Sequence, residues 1–393
     1  MNWKSQANNQ SLKYGEKLMA KKTVKEALPR KKTTFLDNIN SFKSMKEKKL
    51  LSRRFRWSPS VNFTMNEAQR VHITAFRNKL TNGECKYIER SCPVCDLSEF
   101  LVIGEKDKCG FPTFTVLCKV CGLMQTNPRP RDIDYQDFYQ NHYRYIWGQE
   151  RKTSKDGFDI RRADRVYEFI MKSNPDLNEN PKILDIGCGA GKLVYEFSKR
   201  GYDCIGIDHD DYNFEYGKSI GLNLLNCSLG DLDYTKKFDL ITMHHSLEHL
   251  NSPNQYLKII YEMLEDNGYL YIGVPSMQNK RFGSDQLHAI TFPHIFCFTL
   301  QSLVNLLGKE FFSLYARDGG TGGIHLYTIF QKVRNKHNFI SDFKETETLL
   351  RSIERNRFFH IGYMYKKAKF HSYKFRLKFG LAHFSSRLGK INL

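Results

Sequence analysis

The stretch KILDIGCGAGKLVYEFSKRG, Lys182 to Gly201, constrains the fold more than any other part of the chain. Ile183–Ile186 is a short, mostly apolar run of strand type. Gly187, Gly189 and Gly191 follow at alternate positions, and KLVYEFSKR then reads as a helix. A strand, a glycine turn and a helix N-terminus bring backbone close to a ligand and aim free N–H groups at it. YDCIGIDHD is a second apolar run ending in acid, with Asp208 lying 23 residues after Asp185. A carboxylate in that place suits ribose hydroxyls. The turn alone does not choose the ligand, because nicotinamide-binding chains use one too.

The spacing narrows the choice. The pattern from Asp185 to Gly191 is Asp-x-Gly-x-Gly-x-Gly, without the dinucleotide-type G-x-G-x-x-G. It resembles motif I of class I S-adenosylmethionine-dependent methyltransferases. The resemblance implies that Asp185, Gly187, Gly189 and Gly191 form the turn around the methionine part of S-adenosylmethionine. It also implies that Asp208 holds the ribose. The later chain follows the order of that family. NCSLGDLDYTKKFDLITMHHSLEHL carries Asp231 and Leu232 where the family sets an acid or its neighbour against the adenine. KFDLITM reads as the fourth strand, and YLKIIYEMLEDNGYLYIGVPS as a helix, a glycine turn and the fifth strand. HLYTIFQK, after GGTGG, suits a final antiparallel strand. The expected fold is therefore α/β. It is a Rossmann-like, seven-stranded methyltransferase sheet, mostly parallel with its last strand antiparallel, preceded by a small zinc-ribbon-like module.

That module rests on cysteines. Of ten, four form two tight pairs: Cys92 and Cys95 in CPVC, and Cys118 and Cys121 in CKVC. Each C-x-x-C knuckle supplies two thiolates from one turn, and two knuckles complete a tetrahedral zinc shell. A closed shell of four thiolates leaves no position for substrate, so such a zinc folds the module and does no chemistry. A redox dithiol is the rival reading, and Cys85 and Cys109 are poorer alternative ligands by spacing. CPVC…CKVCGLMQTNPRPRDIDYQDFYQNHYR in front of the glycine turn resembles bacterial methyltransferases associated with surface-polysaccharide and sugar modification. More loosely, it is similar to nucleotide-sugar C-methyltransferases with an N-terminal zinc module. Tyr135, Tyr139 and Tyr143 in the lead to the catalytic domain either line a substrate cleft or pack between domains.

MHHSLEHLNSP, Met243 to Pro253, sits where the fourth strand ends, which is the ligand edge of such a sheet. If SLEHL begins helically, His245, Glu248 and His249 share one face. Three readings compete. Glu248 and His249 position the loop; or His245 or His249 takes a proton from an acceptor hydroxyl; or the cluster binds a divalent cation. The third rests on resemblance to ubiquinone-type O-methyltransferases and small-RNA 2′-O-methyltransferases. Those carry a Glu-x-x-Glu-His cluster and a later His. Here His245 replaces the first Glu, and the later His is His294 or His288. His294, in PHIFCFTLQSLVNLLGK, is a further catalytic candidate, and Thr299 is a suitable N-cap for the helix that follows.

The net charge of +19 is uneven: residues 1–60 carry +12, residues 333–393 carry +10, and the body between them −3. Basic ends point to an anionic partner, or to solvated tails. Phe370, Tyr373, Leu377, Leu381, Phe384 and Leu388 form one helical stripe flanked by lysines and arginines. It fits an anionic membrane surface, or packing on the protein body or a second subunit. No apolar run reaches the ~18 residues of a membrane span, and the N-terminus lacks a signal-peptide core, so a cytoplasmic location is expected, with peripheral contact at the inner membrane face. The expected organisation is a basic extension (1–84), a zinc module (85–126), a Tyr-rich helical linker (127–160), the methyltransferase domain (161–332) and a basic amphipathic region (333–393). The expected activity is S-adenosylmethionine-dependent O- or C-methylation of a sugar or glycan-linked small molecule in polysaccharide biosynthesis. An RNA methyltransferase with RNA-binding tails is the alternative.

Overall fold

The computed structural model describes residues 47–147, 160–173, 175–209, 211–233, 235–277, 290–319, 325–334 and 339–355. The first strands are β1 Glu47–Lys48, β2 Tyr87–Ile88, β3 Phe100–Lys106, β4 Pro112–Cys118, β5 Met124–Thr126 and β6 Arg129–Pro130. Then come β7 Lys182–Ile186, β8 Asp203–Asp208, β9 Leu224–Asn226, β10 Phe238–His244, β11 Leu264–Pro275, β12 Phe296–Cys297, β13 Phe312–Gly319 and β14 His325–Lys332. The helices are α1 Glu67–Thr81, α2 Asp132–Phe138, α3 Arg161–Lys172, α4 Lys192–Ser198, α5 Asp211–Ser219, α6 Pro253–Met263, α7 Leu300–Lys309 and α8 over 343–355. A π-helical turn, Tyr139–Tyr143, carries α2 on to Arg144–Ile146.

Seven strands form one sheet in the order β13-β14-β11-β10-β7-β8-β9. Every pairing is parallel except those of β14, which runs antiparallel to β11 and β13. This is the Rossmann-like methyltransferase arrangement expected from the motifs. Ile183, Leu184, Leu240, Ile241, Leu270 and Ile272 are fully buried. Parallel strands covered on both faces demand such near-continuous apolar runs. The chain works outward from β7 to β9 and then returns to β10 on the other side of β7. That reversal opens a crevice at the carboxyl ends of β7 and β10.

The second sheet, β1-β3-β4-β5-β12, reaches beyond the module expected at 85–126. It recruits β1 from the basic N-terminal segment. It also recruits β12, where Phe296 pairs with Gln125 and Cys297 with Met124. The extension drawn at 1–84 is corrected likewise from residue 47 onward, because it contributes core. Phe55 is fully buried, and α1 buries Ile73, Phe76 and Leu80 at spacings of three and four. Asn66 begins α1 by accepting from Gln69 N at 2.8 Å and donating its own N–H to Gln69 Oε1 at 2.9 Å, which satisfies two otherwise free donors.

The sheets share one core. The Phe76 ring meets Phe138 at 4.8 Å, Phe292 at 5.0 Å and Phe111 at 5.4 Å, so α1, α2, the β3–β4 loop and the segment before β12 converge on it. Helix α8 closes over the second cysteine turn. A Cβ at Gly122, which has φ of 74°, would lie 2.6 Å from the Asp342 carbonyl oxygen, so only glycine fits there. Arg54 clamps the other end of α8 through Nε and Nη2 to the Glu354 carboxylate, at 2.8 and 2.5 Å. The apolar stripe over 366–393, most of the basic N-terminal segment (1–46) and His288 lie outside the described residues. Among the described residues, no helix is long and apolar enough to cross a membrane.

Candidate active site

The glycine turn is built by backbone. Gly187 N and Cys188 N both donate to the Ile207 carbonyl, at 2.9 and 3.1 Å, which ties the end of β7 to β8. Gly189 N donates to Asp208 Oδ2 at 2.8 Å. Gly187, Gly189 and Gly191 all have φ between 55° and 75°. At Gly187 the space is closed as well: a Cβ would sit 2.3 Å from Ser246 Oγ, on the turn after β10. At Gly189 it would meet nothing within 4 Å, so the turn presents bare backbone to an open space. That open cradle, with the Asp208 carboxylate at its edge, fits S-adenosylmethionine.

The acids fall on the same edge. Asp185 is buried and accepts from Thr242 Oγ1 at 2.7 Å; burial pushes its carboxyl up to about 7. Burial also raises Asp208, against the Gly189 hydrogen bond. Asp208 pairs with Asn226 of β9, and Cys227 N donates to the Asp208 carbonyl at 3.1 Å, which brings the 227–232 segment alongside. There Asp231 Oδ2 accepts from Ser228 N and Ser228 Oγ, at 2.9 and 2.6 Å, and caps its own turn. Leu232 is partly buried against the core.

The histidine turn faces this cradle across the crevice. Ser246 Oγ donates to the Ile186 carbonyl at 3.2 Å, so the ends of β7 and β10 are pinned together. Residues Leu247–His249 form one 3-10 turn, not the start of an α-helix. His245 precedes it with φ of 57°. The shared face nevertheless forms, because His245 Nδ1 lies 3.0 Å from Glu248 Oε1 and His249 Nε2 lies 3.8 Å from the same oxygen. Glu248 is fully buried. Burial alone would push its carboxyl up, but the His245 hydrogen bond and the neighbouring imidazoles bring it down to about 2.

The tautomer of His249 follows from its partners. Nδ1 lies 2.9 Å from the Pro293 carbonyl and 2.8 Å from Tyr139 Oη. A carbonyl can only accept, so Nδ1 carries the hydrogen and Nε2 keeps the lone pair. Burial lowers His249 and takes His294 down to about 3, so both imidazoles are neutral at physiological pH. Glu248, His249 and His294 present ligand atoms all within 4.8 Å of one another. His245, the substitute for the first acid in the metal reading, is not in that set; it serves as the partner of Glu248. Glu248 Oε2 and His245 Nε2 are buried without a hydrogen-bond partner among the described residues. The arrangement can accept a proton at His249 Nε2 or hold a divalent cation.

Tyr139 was legible as one of three spaced tyrosines, though not as the partner of His249. Pro293 had no signal, because its contribution is a carbonyl. His325 was missed too; its ring packs edge-on against His245 at 4.7 Å.

The four paired cysteines come together across the sheet. Cys92 Sγ lies 3.4 Å from Cys121 Sγ, Cys95 Sγ lies 3.5 Å from Cys118 Sγ, and all four fall within 4.8 Å. Thiolates around a tetrahedral zinc at about 2.3 Å stand about 3.8 Å apart, so this donor set fits the ion. Cys85 and Cys109 are buried elsewhere and stand outside the group.

Residues 158–311 match the family model described as "Methyltransferase domain". The chain is 30% identical over 123 residues to a ubiquinone biosynthesis O-methyltransferase of Pelagibacter ubique, covering 30% of this chain and 51% of that protein. It is 29% identical over 167 residues to a sterol 24-C-methyltransferase of Candida albicans, covering 39% and 44%. The chain thus spans about half the length of the curated relatives it matches. Among solved structures, the Burkholderia thailandensis 1,6-didemethyltoxoflavin-N1-methyltransferase with bound S-adenosylhomocysteine is similar at a TM-score of 0.40 and 17% identity, covering 56% of this chain and 96% of that one. Residues 158–311 thus match a methyltransferase domain, and the Rossmann-like, seven-stranded sheet begins within them at β7 and is completed beyond them by β13 and β14.

Proposed function

We propose that the protein transfers a methyl group from S-adenosylmethionine to a hydroxyl, or to an acidic carbon, of a sugar or glycan-linked small molecule. The observation that carries this reading is the meeting of two turns at one crevice: the open glycine cradle after β7 and the Glu248–His249 pair after β10. Bound S-adenosylmethionine would supply an electrophilic methyl on a sulfonium. Asp208 and the Gly189 backbone would hold the donor. His249 would take the acceptor proton at Nε2, while the Pro293 carbonyl and Tyr139 fix its ring. The Glu248 carboxylate would stabilise the imidazolium so formed. Aligning methyl and acceptor supplies much of the rate in such a step. A sugar acceptor is supported by the aromatic run beside His249, where the Tyr139 ring lies 6.2 Å from the imidazole and the Tyr143 ring 5.1 Å from Tyr139.

A divalent cation on Glu248, His249 and His294 is a second reading, favoured by the unpartnered, buried Glu248 Oε2. Such an ion would lower the acceptor hydroxyl's pKa. Loss of turnover on chelation, restored by added divalent ion while the four-cysteine zinc stays bound, supports it. Chelator-insensitive turnover removes it.

The acceptor is tested with methyl-labelled S-adenosylmethionine, the purified protein and a cell extract. Products are divided by nuclease digestion and organic extraction. Label in nuclease-resistant glycan, nucleotide-sugar or lipid-linked material is expected. Label released by nuclease would replace the sugar reading with the RNA one. Contact with an anionic membrane through residues 366–393 belongs to the same proposal, and binding to anionic vesicles should vanish when they are removed.

A further inference from the structure

The segment after β1 and the end of β3 line an open cavity of about 400 Å³. It is lined by Arg53, Arg54, Arg56, Trp57 and Lys106, with two serines and an asparagine, and no acidic residue is among them. Lys106 is buried, and its Nζ is held only by neutral hydroxyls, Ser58 Oγ at 2.9 Å and Ser60 Oγ at 2.8 Å. The neighbouring carboxylates are committed elsewhere. Glu105 pairs with Lys48 and accepts from Trp57 N at 3.0 Å, and Glu354 is taken by Arg54. Asp107 receives Cys109 N, Phe111 N and Phe292 N. Among the described residues, Arg53, Arg56 and Lys106 make no ion pair.

Burying an ammonium whose hydrogen-bond partners are neutral hydroxyls, with Arg53 and Arg56 lining the same space, costs free energy through desolvation and like-charge repulsion. An anion in the cavity relieves both terms. Three unpaired cations and two hydroxyl groups outnumber what one carboxylate can use. They match the charge and the several acceptor oxygens of a phosphate or diphosphate. We propose that this cavity is a binding site for the phosphate oxyanion of a phosphorylated ligand. It is separate from the methyl-transfer crevice: β3 lies three strands from β12 in its sheet, or about 14 Å at the usual strand spacing.

The test uses the full-length, zinc-loaded protein and inorganic pyrophosphate as probe, titrated by calorimetry at low ionic strength. Two variants are compared. Lys106→Met keeps a long apolar stem in the buried position, and the Arg53→Ala/Arg56→Ala double variant alters only exposed side chains. Saturable pyrophosphate binding is expected, weakened on the order of tenfold or more in each variant. S-adenosylhomocysteine binding should stay unchanged in both variants. That titration keeps a failure here distinct from a failure of the methyltransferase reading. A parallel arm sediments the proteins with phosphatidylcholine vesicles, with and without phosphatidate. Cavity-dependent pyrophosphate binding identifies a soluble phosphorylated ligand. Cavity-dependent phosphatidate binding without pyrophosphate binding identifies a lipid headgroup. Binding of neither probe, or binding that both variants leave unchanged, overturns the proposal.

Discussion

At the scale of single residues, the proposed chemistry rests on His249 Nε2 and the Glu248 carboxylate. Replacing His249 with Ala should lower kcat by about 10²–10⁴-fold, the usual contribution of a positioned general base. S-adenosylhomocysteine affinity should be preserved, and a variant that loses both has lost its fold. Burial depresses the His249 pKa, so the base form persists below the ordinary value of about 6.5. The acid limb of the kcat profile should therefore lie below pH 6.5; an acid limb above it would remove His249 as the base. Gly187 answers to geometry. Gly187→Ala adds a Cβ at positive φ, 2.3 Å from Ser246 Oγ. It should cost about 1–3 kcal/mol in stability and displace the catalytic turn, measurable as a lower Tm with weaker S-adenosylhomocysteine binding. The glycines and the end-of-strand acid were legible in sequence because their spacing is local. The partners of His249 were not, because Tyr139 and Pro293 come from 110 and 44 positions away.

At the scale of elements, the four-cysteine cluster and the histidine turn are coupled through β12. This two-residue strand pairs with β5, which follows the second cysteine turn, and it comes three residues after Pro293, whose carbonyl fixes His249. Cys118→Ser should therefore do more than release zinc. Metal analysis should show loss of the ion, and methyl transfer should fall even though Cys92, Cys95, Cys118 and Cys121 all stand in the other sheet's cluster, apart from Glu248 and His249. Retention of zinc at full stoichiometry would refute the four-cysteine assignment. The strand–turn–helix units were readable from apolar runs and glycines, as was the N-cap of α7, where Thr299 Oγ1 accepts from Ser302 N at 3.1 Å. The five-stranded sheet was not, because β1 and β12 are too short to show a period and their pairing is long-range.

At the scale of the whole molecule, one aromatic core joins α1, α2, the β3–β4 loop and the segment before β12, so the two sheets should unfold together. Phe76→Ala removes its centre and should cost about 3–5 kcal/mol, read as a lower midpoint of a single transition. Two separate transitions would contradict the shared core. Acid should weaken the fold through buried imidazoles. Burial lowers His142 and His325 to about 4. Their unfolded forms bind protons first as pH falls below about 6.5, so stability is full above that value and drains as pH falls toward 4. His325→Gln should flatten that loss in a Tm series; an unchanged slope would reject the role. Asp185, raised to about 7 by burial, opposes it, since its protonated form favours the fold at low pH. The uneven charge was readable from sequence, whereas the closure of α8 onto Arg54 and Gly122 depends on contacts between distant parts of the chain. All of this places a donor cradle at the end of β7, and that is the claim to test first. S-adenosylhomocysteine is titrated calorimetrically into the wild-type protein and into Asp208→Ala. Saturable one-to-one binding is expected, weakened about 10- to 100-fold by the substitution. Absence of binding, or equal affinity in both proteins, would contradict it.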